Sequence, residues 1–280
     1  MNKLIFAAIC ITSALSVCAA ELKLSLQAYT FRDRSFVETL ETAARLGYQN
    51  IEAYPGQRLG GPFEGTTDYK TITPDTLAEL KAYLAKVPVK VVSYGVTGAA
   101  DAAEWTKLTD FCQTLGIGQI QIEVGATEET LKLAESFAVK TGVRVSLHNH
   151  RQEEGRPERV AVALQKVGPA VGAGSDIGHW QNAEIDPLGG VKLLKGRFHT
   201  LHAIDMTADK HEVAFGAGVI DLKAIFDQLA QNETGTIYVT VEDERQRLEL
   251  ERDVAACAAW FAAWKNPSAA SVPAPELSRP

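Results

Sequence analysis

The side chains best suited to chemistry stand at the ends of short apolar runs in the second half of the chain. The run VSLHNH, residues 145–150, is typical of them, since a strand-like stretch ends in two imidazoles. The chain has only six histidines, and four of them occupy such ends. The acidic and imidazole residues at or near successive run ends are His148 and His150, Asp176 and His179, His202 and Asp205, and Glu242.

Carboxylates and imidazoles that converge in a partly buried mouth repel one another or stay unpaired unless a cation or a proton network compensates them. A divalent metal is the simplest compensation. A mixed His, Asp and Glu set without Cys suits Mn, Zn, Co or Fe better than Ca, and a Lewis-acid role better than a closed structural zinc site. We therefore predict one divalent metal, with Mn first and Zn, Co or Mg as alternatives.

The elements that must position these residues alternate along the chain. Segments with helical spacing separate the apolar runs, and several of these segments stop at Gly, as helices often do. Such alternation predicts a parallel sheet, and eight runs favour a closed (β/α)8 TIM barrel over an open sheet. No GxGxxG follows the first run, which argues against a dinucleotide fold. The eight predicted strands are LKLSLQAY, QNIEAY, VKVVSYG, GQIQIEV, VRVSLHNH, VGAGSD, FHTLHAID and TIYVTVE.

The two ends of the chain are predicted to lie outside the barrel. Residues 1–20 have one lysine, a short apolar stretch and small residues before Glu21, which is typical of a secretory signal peptide. We therefore expect an exported protein, periplasmic or secreted, and favour this over a lipid anchor at Cys18. The barrel is predicted over 21–265. Residues 266–280, rich in Pro, Ala and Ser, are predicted to be a disordered tail.

Composition excludes several classes of partner. The net charge of -7 and the lack of a basic block argue against nucleic acid, which needs a basic surface. No second apolar run approaches the length of a membrane span. Without the signal peptide only Cys112 and Cys257 remain, so a disulfide scaffold is also excluded.

Four motifs carry a resemblance to a known family. GSDIGHW, LHAIDM, FGAGVIDLKAIF and VTVEDE follow LHNH in this order. Together they resemble the xylose isomerase-like barrel superfamily, which includes sugar isomerases and epimerases, inosose dehydratases and the endonuclease IV branch. The resemblance covers essentially the whole mature chain and implies Asp176, His202 and Glu242 as metal ligands. Where many members read ENH, this chain reads HNH, so His148 takes the place of a ligand glutamate.

The resemblance also implies an acid/base pair. In the family's epimerases, glutamates of strands five and eight act on either side of the substrate carbon. Here Glu242 is retained and an imidazole replaces its partner, so we predict Glu242, His150 and His148 as catalytic, with His148 either a ligand or a base. A base that removes a proton beside a metal-polarised carbonyl starts isomerisation, epimerisation or β-elimination.

Other residues near the ends of the apolar runs are expected to support loops or to contact the substrate. Asp205 is expected to fix a loop or pair with a lysine, and Gly216 and Gly218 to allow a tight loop. His199 lies an odd number of residues from His202, so it is expected to face the helix layer. The predicted substrate contacts are Glu52, Glu123, His179, Trp180 and Tyr29, with packing or pairing as the alternative for each acidic or aromatic residue.

Three functions remain open. The first is a metal-dependent carbohydrate isomerase or epimerase. The second is a lyase or dehydratase that eliminates from an oxidised (keto) sugar or a glycoside through the same enolate, with an oxidoreductase that supplies the keto-sugar as a candidate partner. The third is a sugar-binding barrel without catalysis. An endonuclease is disfavoured because no histidine precedes residue 148.

Overall fold

Eight parallel strands close into a barrel in the computed structural model, which describes residues 19–245 and 248–267. Each strand pairs with its neighbours in sequence, and the eighth closes on the first. The predicted (β/α)8 fold is therefore confirmed. The strands are β1 (Glu21–Gln27), β2 (Asn50–Ala53), β3 (Lys90–Thr97), β4 (Gln119–Glu123), β5 (Arg144–His148), β6 (Val171–Asp176), β7 (Phe198–Ala203) and β8 (Thr236–Val241).

Helices connect the strands. Helices α3 and α4 end at Gly116 and Gly142, whose φ angles of 74° and 75° are left-handed, as the glycine stops in the sequence indicate. The helices are α1 (Phe36–Arg45), α2 (Pro74–Leu84), α3 (Ala102–Leu115), α4 (Glu128–Thr141), α5 (Pro157–Leu164), α6 (Ile177–Asn182), α7 (Pro187–Leu193), α8 (Leu222–Asn232) and α9 (Leu250–Lys265). Single 3-10 turns follow β1 and β5, at Ala28–Phe31 and Glu153–Gly155.

Two short antiparallel ribbons, neither of which is predicted from the sequence, extend the loops after β2 and β7. The first joins Arg58–Gly60 to Phe63–Thr66, and the second joins Asp205–Met206 to Glu212–Val213. Both follow the carboxyl end of a strand, the end where this fold collects catalytic groups. The ribbons therefore extend the barrel at the carboxyl ends of its strands, the end where catalytic groups are expected.

The interior of the barrel is polar. TIM barrels are usually filled by branched aliphatic side chains, but here buried hydroxyl and amide groups are bonded to one another. Gln119 Nε2 donates to Ser146 Oγ at 2.9 Å, and the hydroxyls of Thr200 and Thr240 lie 3.4 Å apart. Buried apolar side chains form a contiguous core. The charged groups at the mouth thus lie above buried hydroxyl and amide groups that can form hydrogen bonds with them.

A bulge overturns the prediction for His199. The register between β6 and β7 passes from Phe198 directly to Thr200, which breaks the alternation on which the prediction depended. The His199 ring lies over Gly172 and reaches Ser146 Oγ at 3.5 Å, on the inner face of the barrel. The expectation that His199 faces the helix layer is wrong.

The described part of the chain begins just before β1 and ends just after α9. Residues 1–18 and 268–280 lie outside it, so the signal peptide, the anchor at Cys18 and the disordered tail stay predictions. Between Ala19 and residue 267, apart from 246–247, none of the helices has the length and apolarity needed to cross a bilayer.

Candidate active site

Four predicted ligands meet at the carboxyl end of the barrel. His148 ends β5, Asp176 ends β6, His202 lies on β7, and Glu242 follows β8 directly. Each offers one ligand atom, and these atoms all lie within 4.8 Å of one another. The side chains belong to four consecutive strands, so the closed barrel is what brings residues 94 positions apart in sequence to one point.

The HNH motif fixes two strands against each other. The Asn149 Nδ2 group donates to the Asp176 carbonyl at 3.1 Å, and the Asp176 backbone N–H donates to Asn149 Oδ1 at 3.0 Å. Asp176 Oδ1 also accepts from the His179 N–H at 2.9 Å and caps α6. One oxygen of Asp176 is thereby held, which orients its carboxylate in the mouth.

His202 lies between two carboxylates. Its Nδ1 is 2.6 Å from Glu242 Oε2, and its Nε2 is 3.1 Å from Glu52 Oε1. Burial by itself lowers the pKa of His202, but Glu52 and Glu242 outweigh it and raise the pKa well above its ordinary value. The opposite holds at His148, where burial, with the neighbouring His202 and His150, lowers the pKa well below its ordinary value. His148 is therefore a neutral imidazole, the form that binds metals.

Glu52 is placed beneath His202 and not in the substrate's path. Its side chain is completely buried, and its two oxygens accept from Gln27 Nε2 at 2.7 Å and Gln121 Nε2 at 3.2 Å. The predicted substrate contact is corrected, because no part of this carboxylate is exposed. A carboxylate behind a histidine is the usual partner that orients a metal ligand.

The donor set fits a divalent metal. Two carboxylates and two imidazoles converge, and one of them, His148, has a buried Nδ1 with no hydrogen-bond partner among the described residues. Such a buried orphan nitrogen is costly unless something binds it.

The sequence model described as the xylose isomerase-like TIM barrel matches residues 40–264. The chain belongs to this family. No sequence among curated proteins matches it. The predicted family and fold are thus confirmed, while function has to be argued from the site.

Solved structures extend the comparison. An uncharacterised protein from Parabacteroides distasonis is 28% identical, covers 86% of this chain and 98% of its own, and has a TM-score of 0.68. D-psicose 3-epimerase, solved in the presence of D-fructose, is 14% identical. It also covers 86% of this chain and 98% of its own, with a TM-score of 0.64. The probable 3-DHS dehydratase AsbF from Bacillus anthracis is 13% identical, again over 86% and 98%, with a TM-score of 0.64. At the lower identities the likeness shows the fold alone.

In this member of the family, the rim of the mouth carries a second acid and imidazole pair. His150 Nδ1 lies 2.8 Å from Glu123 Oε2, and Gln152 Nε2 donates to the other oxygen of Glu123. The hydrogen bond to Glu123 raises the pKa of His150 above its ordinary value. Both side chains are close to half exposed. Glu123, a predicted substrate contact, therefore has a further role in holding His150.

A cavity of about 240 Å³ opens beside Glu242. Tyr29 stands at its edge, 38% exposed, with its ring 5.2 Å from that of Tyr54 in an edge-on arrangement. His179 is buried below the rim, and its ring centroid lies 5.2 Å from that of His150. The residues that line the cavity are Gln27, Tyr29, Tyr54, Pro55, Gly95, Val96, His150, Glu242 and Glu244.

Trp180 does not reach the mouth. The ring is 1% exposed and packs against Gly190 of α7, and its Nε1 donates to the Gly155 carbonyl at 2.8 Å. The prediction of a substrate contact is corrected: Trp180 holds the 3-10 turn after β5. The sequence could not separate these roles, because a large aromatic residue beside a strand end suits either.

The loops after β7 and β8 brace each other, through Asp205 and through Glu212 and Glu244, two residues that were not predicted from the sequence. Asp205 accepts backbone N–H groups from Met206, Gly216, Gly218 and Ile220, so the loop-fixing role expected for it is confirmed. On the second ribbon, burial and the nearby Asp243 raise the pKa of Glu212 to about 8. Glu212 Oε2 accepts from the Glu244 N–H at 3.1 Å. This contact sets the loop that brings Glu244 to the cavity.

Proposed function

We propose that this protein is a divalent-metal-dependent carbohydrate isomerase or epimerase that removes a proton beside a substrate carbonyl. The observation that carries the proposal is the convergence of His148, Asp176, His202 and Glu242 within 4.8 Å at a mouth that also borders a sugar-sized cavity. The fold neighbours named above include an epimerase, which supports the proposal at the level of fold only.

Asp176, His202, Glu242 and His148 would hold the metal. When bound, a divalent metal supplies Lewis acidity to a substrate carbonyl oxygen and so makes the neighbouring C–H more acidic. We propose Mn first, because carboxylates suit it and the two imidazoles do not exclude it. Glu52 lies 3.1 Å from Nε2 of His202 and Glu242 lies 2.6 Å from Nδ1, so Nδ1 is the nitrogen that faces Glu242 and the ligand group.

Two groups at the cavity are suited to moving protons. The carboxylate of Glu242 takes the proton from the substrate carbon, and the imidazolium of His150 returns one from its Nε2. Glu123 contacts Nδ1 of His150, and the hydrogen bond between them raises the pKa of the ring, which favours its protonated, proton-donating form. His148 is buried and neutral, so we assign it to the ligand set and not to proton transfer.

The cavity suits an uncharged sugar. The edges of Tyr29 and Tyr54 offer apolar surface to the C–H face of a sugar ring. Within residues 19–245 and 248–267, the side chains that line the cavity include no lysine or arginine, the residues that recognise phosphate. We therefore propose a small keto-sugar without a phosphate group.

A lyase is the second candidate. The ring of His150, held by Glu123 beside the cavity, is in its protonated form a donor suited to a departing hydroxyl or glycosidic oxygen. The first proton transfer, by Glu242, is the same in both reactions. On this reading the substrate is an oxidised sugar or glycoside, and an oxidoreductase supplies its keto group.

A substrate screen tests the proposal. The full chain, loaded with Mn, Co or Zn in turn, is incubated with ketoses and keto-glycosides, and products are identified by mass spectrometry and NMR. A product of unchanged mass supports the isomerase, and a product that has lost water or an alcohol supports the lyase. Glu242→Gln should abolish either, whereas Glu233→Gln, at the opposite end of β7, should not. Absence of turnover with every metal would contradict both and revive the binding barrel.

A further inference from the structure

A second group of potential ligands lies just outside the first. His148, His150 and His179 each offer a ring nitrogen, and the three nitrogens lie within 4.8 Å of one another. The ring centroids of His148 and His150 are 4.8 Å apart, and those of His150 and His179 are 5.2 Å apart. The group is composed of imidazoles alone, unlike the mixed inner set.

The surroundings of these rings are those of metal ligands. The Nδ1 of His150 is taken by Glu123, which leaves Nε2 available and fixes the ring, as a carboxylate does behind a metal-bound histidine. His179 is only 8% exposed. The nearest carboxylate oxygen, Glu244 Oε1, lies 3.9 Å from His179 Nε2. At that distance the carboxylate and the ring are not hydrogen-bonded to each other, so a cation can take this ring nitrogen.

The charge of the mouth leaves room for a second cation. Five carboxylates stand in or directly below it, namely Glu52, Glu123, Asp176, Glu242 and Glu244. One divalent ion offsets two of these charges, and a second would offset two more, which leaves one of the five. Excess carboxylate charge in a partly buried site is unfavourable.

We propose that the mouth binds a second divalent cation on His148, His150 and His179. With both cations bound, His148 belongs to this outer group. The inner cation then keeps Asp176, His202 and Glu242, a three-ligand set with open positions of the kind found in catalytic metal sites. Imidazoles favour Zn, Co, Ni or Cu, so the outer site selects against the Mn and Mg that the carboxylates accept.

Metal counting on the full chain tests this proposal. The purified protein is stripped with a chelator and dialysed against Mn, Zn or Co, and bound metal is measured per chain. The parent should bind two equivalents of Zn or Co and one of Mn. His150→Ala should bind one equivalent of Zn, because it removes an outer ligand and leaves the inner set intact. The His150 side chain is 44% exposed, so the substitution should not unfold the protein.

Two controls separate the site from adventitious binding and from the sugar chemistry. His211 is exposed and pairs with Asp209, away from the mouth, so His211→Ala should keep two equivalents. Glu242→Gln should weaken the inner cation and retain the outer one. One equivalent of Zn in the parent, or two in His150→Ala, would overturn the proposal. It does not depend on turnover: two equivalents in a protein inactive on sugars would support it and contradict the proposed function alone.

Discussion

The Nε2 of His202 lies 3.1 Å from the Oε1 of Glu52, and neither side chain is exposed to solvent. Glu52 is itself held by two glutamine amides, from β1 and β4. The carboxylate therefore fixes the plane of the imidazole and the nitrogen that it turns toward the mouth. A buried charge with such partners is costly to disturb, and its position predicts a role in metal affinity.

Glu52→Gln should weaken divalent-metal binding about 10- to 100-fold, the usual cost of losing the carboxylate behind a metal-bound histidine. The amide is nearly isosteric and still packs, but it loses the charge that orients His202. Metal affinity is measured by competition with a fluorescent chelator.

Glu233→Gln is the matched control for Glu52. Glu233 is also buried, and its carboxylate accepts from the N–H groups of Gly196 and Phe198, at the other end of β7. The control should lower stability without changing metal affinity. Equal affinities in Glu52→Gln and the parent would show that His202 is oriented without Glu52.

Asp205→Asn should lower the free energy of unfolding by about 3 kcal/mol. Oδ2 of Asp205 accepts from the N–H groups of Gly216 and Gly218, both at 2.9 Å. An amide NH₂ at that position would face two donors and leave them unpaired. Urea unfolding measures the change. Asp209→Asn, an exposed residue of the same loop, should change stability by less than about 0.5 kcal/mol, and a similar loss in both variants would contradict the role of Asp205.

The stability of the fold is expected to fall at acid pH because of the contacts between Glu251 of α9 and two arginines. Glu251 contacts Arg45 Nη1 at 2.7 Å and Arg34 Nη1 at 2.8 Å. The hydrogen bond from Arg45 and the contact with Arg34 outweigh burial and lower the pKa of Glu251 from 4.5 to about 2. A lowered carboxyl pKa stabilises the fold fully above the unfolded value of 4.5 and loses this effect as pH falls toward 2.

Glu251→Gln should therefore be less stable than the parent at pH 7, by about 1 kcal/mol because the pair is partly exposed. The difference should shrink as pH falls below 4.5. Thermal unfolding across pH measures it. Glu79→Gln, at an exposed position of α2, should show no such trend, and a constant difference for Glu251→Gln would contradict the assignment.

Tyr29 and Trp180 should behave differently, although the sequence predicts the same role for both. Tyr29→Ala removes an aromatic edge from the cavity and should raise KM about three- to tenfold. Trp180→Phe removes the hydrogen bond to Gly155 and should lower the free energy of unfolding by about 2 kcal/mol with KM unchanged. A raised KM in Trp180→Phe would restore the substrate contact that its burial argues against.

The convergence of the strand-end side chains could be predicted from sequence because it depends on one rule, whereas the family resemblance singled out the four ligands among them. Parallel strands in a barrel present their carboxyl ends together, so a His, Asp or Glu at each end must converge with the others. His148, Asp176, His202 and Glu242 follow that rule, and the structure brings them together. Their roles as ligands and bases remain predictions.

The predictions that were wrong or incomplete have a different origin. Each concerns a side chain whose position depends on how deeply it is buried or on a local irregularity of the backbone. Glu52 lies at a strand end like Glu123, yet neighbouring strands bury it completely while Glu123 stays at the rim. His199 is turned by a bulge that no alternation rule contains. Glu244 reaches the cavity because Glu212, from a separate ribbon, holds its backbone. None of these can be read from the spacing of residues along one strand.

The central claim is that Glu242 and His150 move protons at a carbon beside a carbonyl. The most direct test is turnover of a panel of keto-sugars by the metal-loaded protein in D₂O, followed by ¹H NMR. We predict an isomeric product that carries solvent deuterium, at that carbon after epimerisation or at the former carbonyl carbon after isomerisation, formed by the parent and not by Glu242→Gln. A product isomeric with the substrate but free of deuterium would indicate hydride transfer and contradict the account.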